Sequence, residues 1–170
     1  VNVSGADDAP TLAAVSSGSV AEVDQSSGTT DAGLNGTLVG ADVDVETLTF
    51  GIQGVTPVAG VATQVGSYGT LTVDTATGGY LFTKNAAAIE ALDATETASD
   101  VFTVTVTDGD GAVVTRAYTV NVSGADDAPT LAAVSAGSVA EVDQSSGTSD
   151  AGLNGTLAGA DVDVETLTYG

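Results

Sequence analysis

The sequence contains no cysteine, histidine, methionine or tryptophan, and only Lys84 and Arg116 offer cationic side chains against 23 acidic residues. Without cysteine there are no disulfides, no catalytic thiols and no thiolate zinc sites. Without histidine the commonest metal ligand and general base is missing. Hard cations bound through oxygen, calcium above all, are the natural guests that remain. The formal charge of −21 repels a phosphate backbone, because nucleic-acid binders need basic stripes to displace counterions. It also destabilises a compact state through self-repulsion unless counter-ions are held.

Aromatic residues are scarce, with four tyrosines and three phenylalanines, so the core must be built mainly from Val, Leu, Ile and Ala. No apolar run approaches the roughly 20 residues of a membrane span, and no basic-then-apolar leader opens the chain. The sequence reads as a soluble internal window of something longer.

What is abundant is valine, threonine and glycine, in short alternating runs separated by turn residues, which is the pattern of an all-β fold. Leu48, Phe50 and Ile52 alternate with small or polar neighbours, as do Leu71 with Val73 and Tyr80 with Phe82. The clearest alternation sets Phe102, Val104 and Val106 against Thr103, Thr105 and Thr107. After Asp108-Gly109-Asp110-Gly111 it resumes with Val114, Tyr118, Val120 and Val122. That spacing predicts a closing hairpin. Thr77-Gly78-Gly79 predicts a tight turn, and Ala86 to Leu92 one helical turn with Ile89 and Leu92 inward. Seven or more such strands indicate an Ig-like antiparallel β-sandwich.

Residues 1–51 recur as residues 120–170, at an offset of 119, with only Ser17→Ala136, Thr30→Ser149, Val39→Ala158 and Phe50→Tyr169 changed. A period that long, with so little divergence, denotes a tandem array of domain-sized units. Pro10 and Pro129 follow extended segments and stop sheet pairing, which places the junctions there. The expected division is residues 1–10 as the end of a preceding repeat and its junction, 11–124 as one complete sandwich, and 125–170 as a junction and the N-terminal part of the next repeat. That last piece lacks partners to close a sandwich and is expected to be poorly ordered unless another chain completes it.

The carboxylates are grouped: Glu22 with Asp24; Asp42, Asp44 and Glu46; Asp93 with Glu96; Asp108 with Asp110; Asp126 with Asp127. Most fall in expected turns or at the junction, and sandwich loops collect at the two ends. Carboxylates from separate loops can therefore meet beside the neighbouring domain and share a cation. Asp42-Val43-Asp44-Val45-Glu46 aims alternate side chains at one centre but lacks the glycine of an EF-hand loop, where Thr47 stands. The competing explanation is that each cluster is simply a solvated turn.

The ending from Thr103 to Gly111 and from Tyr118 to Pro129, together with Gly69-Thr70-Leu71-Thr72-Val73-Asp74 and Gly79-Tyr80-Leu81-Phe82-Thr83, resembles the VCBS and cadherin-like repeats of large bacterial RTX adhesins. The resemblance implies a tandem, cadherin-like sandwich in a giant secreted surface protein, using repeats as extenders that stiffen when calcium occupies the junctions. By the same analogy Glu22 corresponds to an early-strand acidic ligand. Asp42 and Asp44 correspond to an Asp-x-Asp pair, Asp93 and Glu96 to an acidic loop, and Asp126 and Asp127 to an acidic linker before Ala-Pro. Asp161 and Asp163 would be the linker's partners in the next unit. Ala125 and Ala94-Thr95 depart from the fuller acidic patterns, and the glycine-rich RTX nonapeptide is absent.

The expected role is thus a calcium-stiffened spacer outside a bacterial cell, in adhesion or biofilm, with neighbouring repeats as partners. The rival role is a calcium-dependent carbohydrate- or surface-binding module. Enzyme activity is not expected: carboxylate pairs alone could serve a glycosidase, but aromatic sugar platforms are missing.

Overall fold

A computed structural model describes residues 1–2, 4–163 and 165–170. The strands in order are β1 (Thr11–Leu12), β2 (Gly18–Val23), β3 (Ser26–Ala32), β4 (Asn35–Thr37), β5 (Gly40–Ala41), β6 (Thr49–Ile52), β7 (Val61–Val65), β8 (Gly69–Asp74) and β9 (Gly79–Lys84). After the single turn of helix α1 (Ala86–Ile89) come β10 (Thr97–Thr107), β11 (Val113–Ser123), β12 (Thr130–Leu131), β13 (Ser138–Glu141), β14 (Thr148–Ala151) and β15 (Gly159–Ala160). The chain separates into two compact units, Val1–Asp126 and Asp127–Gly170.

The first unit is a β-sandwich. One sheet has the order β3-β2-β11-β10-β6, the other β4-β9-β8-β7, and β1 pairs separately with β5. The spine is the β10–β11 hairpin, paired from Thr97↔Ser123 to Thr107↔Val113. Its period-2 pattern explains why it is a strand pair: Phe102, Val104 and Val106 are buried while the intervening threonines are half-exposed. Most pairs are antiparallel, but β2 runs parallel to β11, from Val120↔Gly18 to Ser123↔Ala21. A hairpin turn cannot join parallel neighbours; here the connection between them is the rest of the domain, since β2 and β11 are its first and last long strands.

The two sheets meet through Leu71, Val73 and Phe82 on one side and Val20, Phe102, Val104, Val106, Tyr118, Val120 and Val122 on the other, with Leu12, Leu38 and Ile52 completing the core. Phe82 and Phe102 stand 6.0 Å apart and tilted by 60°, a favoured edge-biased geometry for aromatic pairs. Ile89 and Leu92 point inward from α1 and the turn after it, so the short helix plugs one side of the core. Gly69 permits close approach of β8 to β9, because a Cβ there would overlap the Phe82 ring. Gly78 sits at φ +70 in the β8–β9 turn, where its N–H donates to the Asp74 carbonyl at 2.9 Å.

Two buried polar groups lock loops onto this frame. The Tyr118 hydroxyl donates to the Gly33 carbonyl at 2.7 Å; desolvation and the neighbouring Tyr80 push its pKa up to about 12. Asp100, although in the middle of β10, is buried and accepts from the backbone N–H groups of Ser67 and Tyr68, both at 2.8 Å. It pins the β7–β8 loop to the opposite sheet. Strand alternation does not identify this role, because nothing near Asp100 in sequence distinguishes it from a turn carboxylate.

The second unit contains two antiparallel pairs, β12 with β15 and β13 with β14. The β13–β14 pair is a local hairpin, whereas β12 and β15 join residues about 30 apart, and Leu131, Val134, Val139 and Leu153 are exposed.

The buried polar contacts can be tested separately. Tyr118→Phe keeps the ring and loses only the bond to Gly33, and is expected to lower stability by about 1 kcal/mol, measurable by urea melting. Asp100→Asn confronts one of the two loop N–H donors with an NH2 group, and should cost about 2–3 kcal/mol, as a buried donor left unsatisfied does. Asp74, whose carboxylate is held below its usual pKa first by the Thr77 hydroxyl and then by backbone N–H groups, supports the turn only when ionised. Its contribution is fully present above an unfolded value of about 4 and fades as pH falls through the lower folded value. The melting difference between wild type and Asp74→Ala should therefore shrink on acidification.

Candidate metal centres at the ends of the sandwich

The turn after β10 starts one candidate centre. Asp108 accepts from the N–H groups of Gly111 and Ala112 through Oδ1, at 2.7 and 2.8 Å. This bends the chain into the tip of the β10–β11 hairpin. The residue is only 6% exposed, yet its Oδ2 is buried with no hydrogen-bond partner among the described residues. An ionised oxygen in that state is costly unless something cationic faces it.

Facing it are two more carboxylates. Oxygens of Asp7, Glu46 and Asp108 all lie within 4.8 Å of one another. Glu46 is held in place by the Gly109 N–H, which donates to its Oε2 at 2.7 Å. Asp7 comes from the segment before β1. The adjoining loop is braced the same way: Asp8 N–H donates to Asp44 Oδ2, and Asp44 N–H to Asp42 Oδ1, each at 2.7 Å. Asp42 Oδ2 is likewise buried without a partner among the described residues. Desolvation, followed by the charges of Asp110, Asp108, Glu46 and Asp44, raises the pKa of Asp7. Such crowding of like charge is relieved by a cation or by protons. An all-oxygen donor set from several loops, partly pre-oriented by backbone N–H groups, matches what calcium takes at 2.3–2.6 Å and what softer metals do not favour.

The other end of the same unit gathers a second set. Glu22, near the end of β2, is buried and accepts from the Ala125 N–H at 3.1 Å. Oxygens of Glu22 and Glu90 lie within 4.8 Å of each other, as do oxygens of Asp93 and Asp126. Glu96 braces the Asp93 turn by accepting from its N–H at 3.3 Å, and Gln25 ties the Asp126 carbonyl to the β2–β3 turn at 2.8 Å.

In the second unit the linker geometry repeats. Asp127 N–H donates to Asp163 Oδ2 at 2.7 Å and Asp163 N–H to Asp161 Oδ1 at 3.0 Å. Asp161 Oδ2 and Asp163 Oδ1 are buried without partners among the described residues.

Of the residues singled out in the sequence, Glu46 and Asp108 are drawn into one centre, with Asp42 and Asp44 bracing the adjoining loop. Glu22, Asp93 and Asp126 contribute to the other end, with Glu96 supporting. Asp24 stays exposed in the β2–β3 turn, where it accepts from the Gln25 amide at 3.4 Å. Asp110 is exposed at the hairpin tip and acts on Asp7 through charge alone. Sequence reasoning passed over Asp7 and Glu90. The first was legible, because Asp7 and Asp8 precede Asp126 and Asp127 by one repeat; the second was not, because Glu90 lies at the end of α1 and reaches Glu22 only through folding.

If Asp108 Oδ2 awaits a cation, Asp108→Asn should leave the cation-free fold within about 0.5 kcal/mol of wild type, the margin of a change that breaks no named interaction. The Asn carbonyl oxygen can keep the Gly111 and Ala112 bonds. The same substitution should abolish most of the stabilisation that calcium confers, as read by calorimetric melting with and without chelator.

Among the described residues no helix is long and apolar enough to cross a membrane. No curated protein matches the sequence. The model of the bacterial cadherin-like domain matches residues 7–124, a span that starts at Asp7 of the first centre and ends just past β11. The chain thus belongs to the bacterial cadherin-like domain family.

Proposed function

We propose that this chain is a calcium-stiffened extender of a large secreted bacterial surface adhesin, holding a distal binding domain away from the cell, with neighbouring repeats of the same chain as its partners. The observation that carries the reading is Asp108: a carboxylate oxygen buried without a partner and gathered with Asp7 and Glu46, in a protein with almost no cationic side chains to neutralise it.

Each repeat contributes linker carboxylates at its entry, Asp7 or Asp126, and loop carboxylates at its ends. Without a cation these groups repel one another and loosen the segments that enter and leave the sandwich. Bound calcium neutralises them and ties the linker to the β10–β11 tip. Extracellular calcium modules bind at about 10⁻⁴ to 10⁻³ M, so the sites would fill outside a cell and empty in cytosol. Near-identity of successive units favours a spacer, which gains by multiplication, over a dedicated ligand-binding module. No step of this role needs a catalytic residue, and the protein acts by shape and stiffness.

Melting and small-angle scattering of the chain, in chelator and then in millimolar calcium, test the reading. At 100-fold excess over the dissociation constant, one site should add about 2.7 kcal/mol. The maximum dimension should grow as the linkers stiffen. Magnesium should do much less, because it demands near-octahedral geometry and dehydrates reluctantly. No calcium effect on either quantity would sink the spacer reading and leave loop-mediated carbohydrate binding, checked on glycan arrays, as the alternative.

A further inference from the structure

We propose that the parallel pairing of β2 with β11 is a force-bearing clamp, which keeps the sandwich folded when the chain is pulled through the segments that lead into β2 and out of β11. The inference rests on the extender reading for the source of the load, since an extender is stretched through the chain that enters and leaves it. The mechanics follow from the order and direction of the strands.

Gly18, the first residue of β2, stands beside Val120, and Ala21 beside Ser123, the last residue of β11. Tension on the entering chain draws β2 back along its own axis, toward the end of β11 that begins at Val113. Tension on the leaving chain draws β11 the opposite way. Parallel neighbours loaded like this slide past one another, and all the evenly spaced bonds of their ladder share the load. A pull across the strands opens the same bonds one after another. Forced unfolding is governed by the unfolding barrier, so the barrier is higher for the pull along the strands.

Four features raise it further. The Asp108 N–H donates to the Ala112 carbonyl at 3.2 Å and the Gly124 N–H to the Glu96 carbonyl at 3.1 Å, which marks the even-numbered residues of β11 as the ones bonded to β10. The odd-numbered Asn121 and Ser123 therefore turn their backbone groups to β2. Both loaded strands are interior to the order β3-β2-β11-β10-β6. Withdrawing β2 must also shear its pairs with β3, from Ser19↔Ala32 to Val23↔Ser26, and withdrawing β11 its pairs with β10, from Thr97↔Ser123 to Thr107↔Val113. Register resists slippage as well, because a one-residue slip of β2 turns the buried Val20 to the outer face. Past the ladder, Glu22 holds the Ala125 N–H at 3.1 Å and the Gln25 amide holds the Asp126 carbonyl at 2.8 Å, so the leaving chain is tied to the far end of β2. β1, whose ladder consists of Thr11↔Ala41 and Leu12↔Gly40, yields before β2 does.

Because the chain lacks cysteine, introduced thiols set the direction of pull in single-molecule force spectroscopy of the full chain. Ser17→Cys with Ala128→Cys loads β2 and β11 along their length. Asp24→Cys with Ala128→Cys loads the same two strands from one end, across the ladder. All three positions are exposed, and both variants should melt with the wild type. In chelator the first pair should rupture in one step at severalfold higher force than the second. Equal forces, or a weaker first pair, overturn the clamp. Ser16→Cys and Ser27→Cys, also exposed, give the same two directions where a handle at Ser17 or Asp24 disturbs folding. Working in chelator keeps this result apart from the calcium reading: the force ratio can hold where calcium does not stiffen the chain, and can fail where it does.

Discussion

The parallel pairing of β2 with β11 is the constraint on which the rest of this molecule depends. It joins the first long strand of the domain to the last, so the sandwich closes only when the segment before residue 52 and the hairpin after residue 96 are both in place. Closure brings Glu22 beside the departing chain at Ala125 and, at the far end of the same strands, sets Asp7 against Asp108. One topological choice thereby produces an acidic centre at each end.

Charge is the complementary constraint. With so few cationic side chains, the protein gives its carboxylates backbone N–H donors as hydrogen-bond partners, as at Asp100, Asp108, Asp44 and Glu46. Lys84, in ionic contact with Asp31 at 2.6 Å, serves one site only. Burial raises the Asp31 pKa, and the hydrogen bonds and charge supplied by Lys84 and Thr29 outweigh it to give a net lowering. Backbone donors orient a carboxylate but carry no net charge, so a cluster built from them keeps its negative field. Stability and cation binding are therefore coupled wherever several such groups converge, while Asp100, buried alone with both oxygens satisfied, is a purely structural anchor.

Much of the fold was legible in the sequence. Phe102, Val104 and Val106 alternating with threonines, followed by an Asp-Gly turn, is a local pattern whose consequence, a hairpin with one buried face, needs no distant partner. Ile89 and Leu92 turning inward, the β8–β9 turn at Gly78 and the tandem period likewise follow from spacing and chain self-similarity. The contact between Asp42 and Asp44 is local too, since the Asp44 N–H donates to a carboxylate only two residues back.

Tertiary structure decided what depends on residues far apart in the chain. It separated Asp24, left in an exposed turn, from Glu22, two residues earlier and buried, because β2 ends at Val23 and the turn then carries the chain out to solvent. It recruited Glu90 from the end of a helical turn, and gave Asp100 a place under a loop that lies more than 30 residues before it. Composition and periodicity by themselves determined an acidic, oxygen-only, all-β repeat. Which carboxylates share a centre was decided by the pairing of the first and last long strands, an interaction that exists only once the chain has closed.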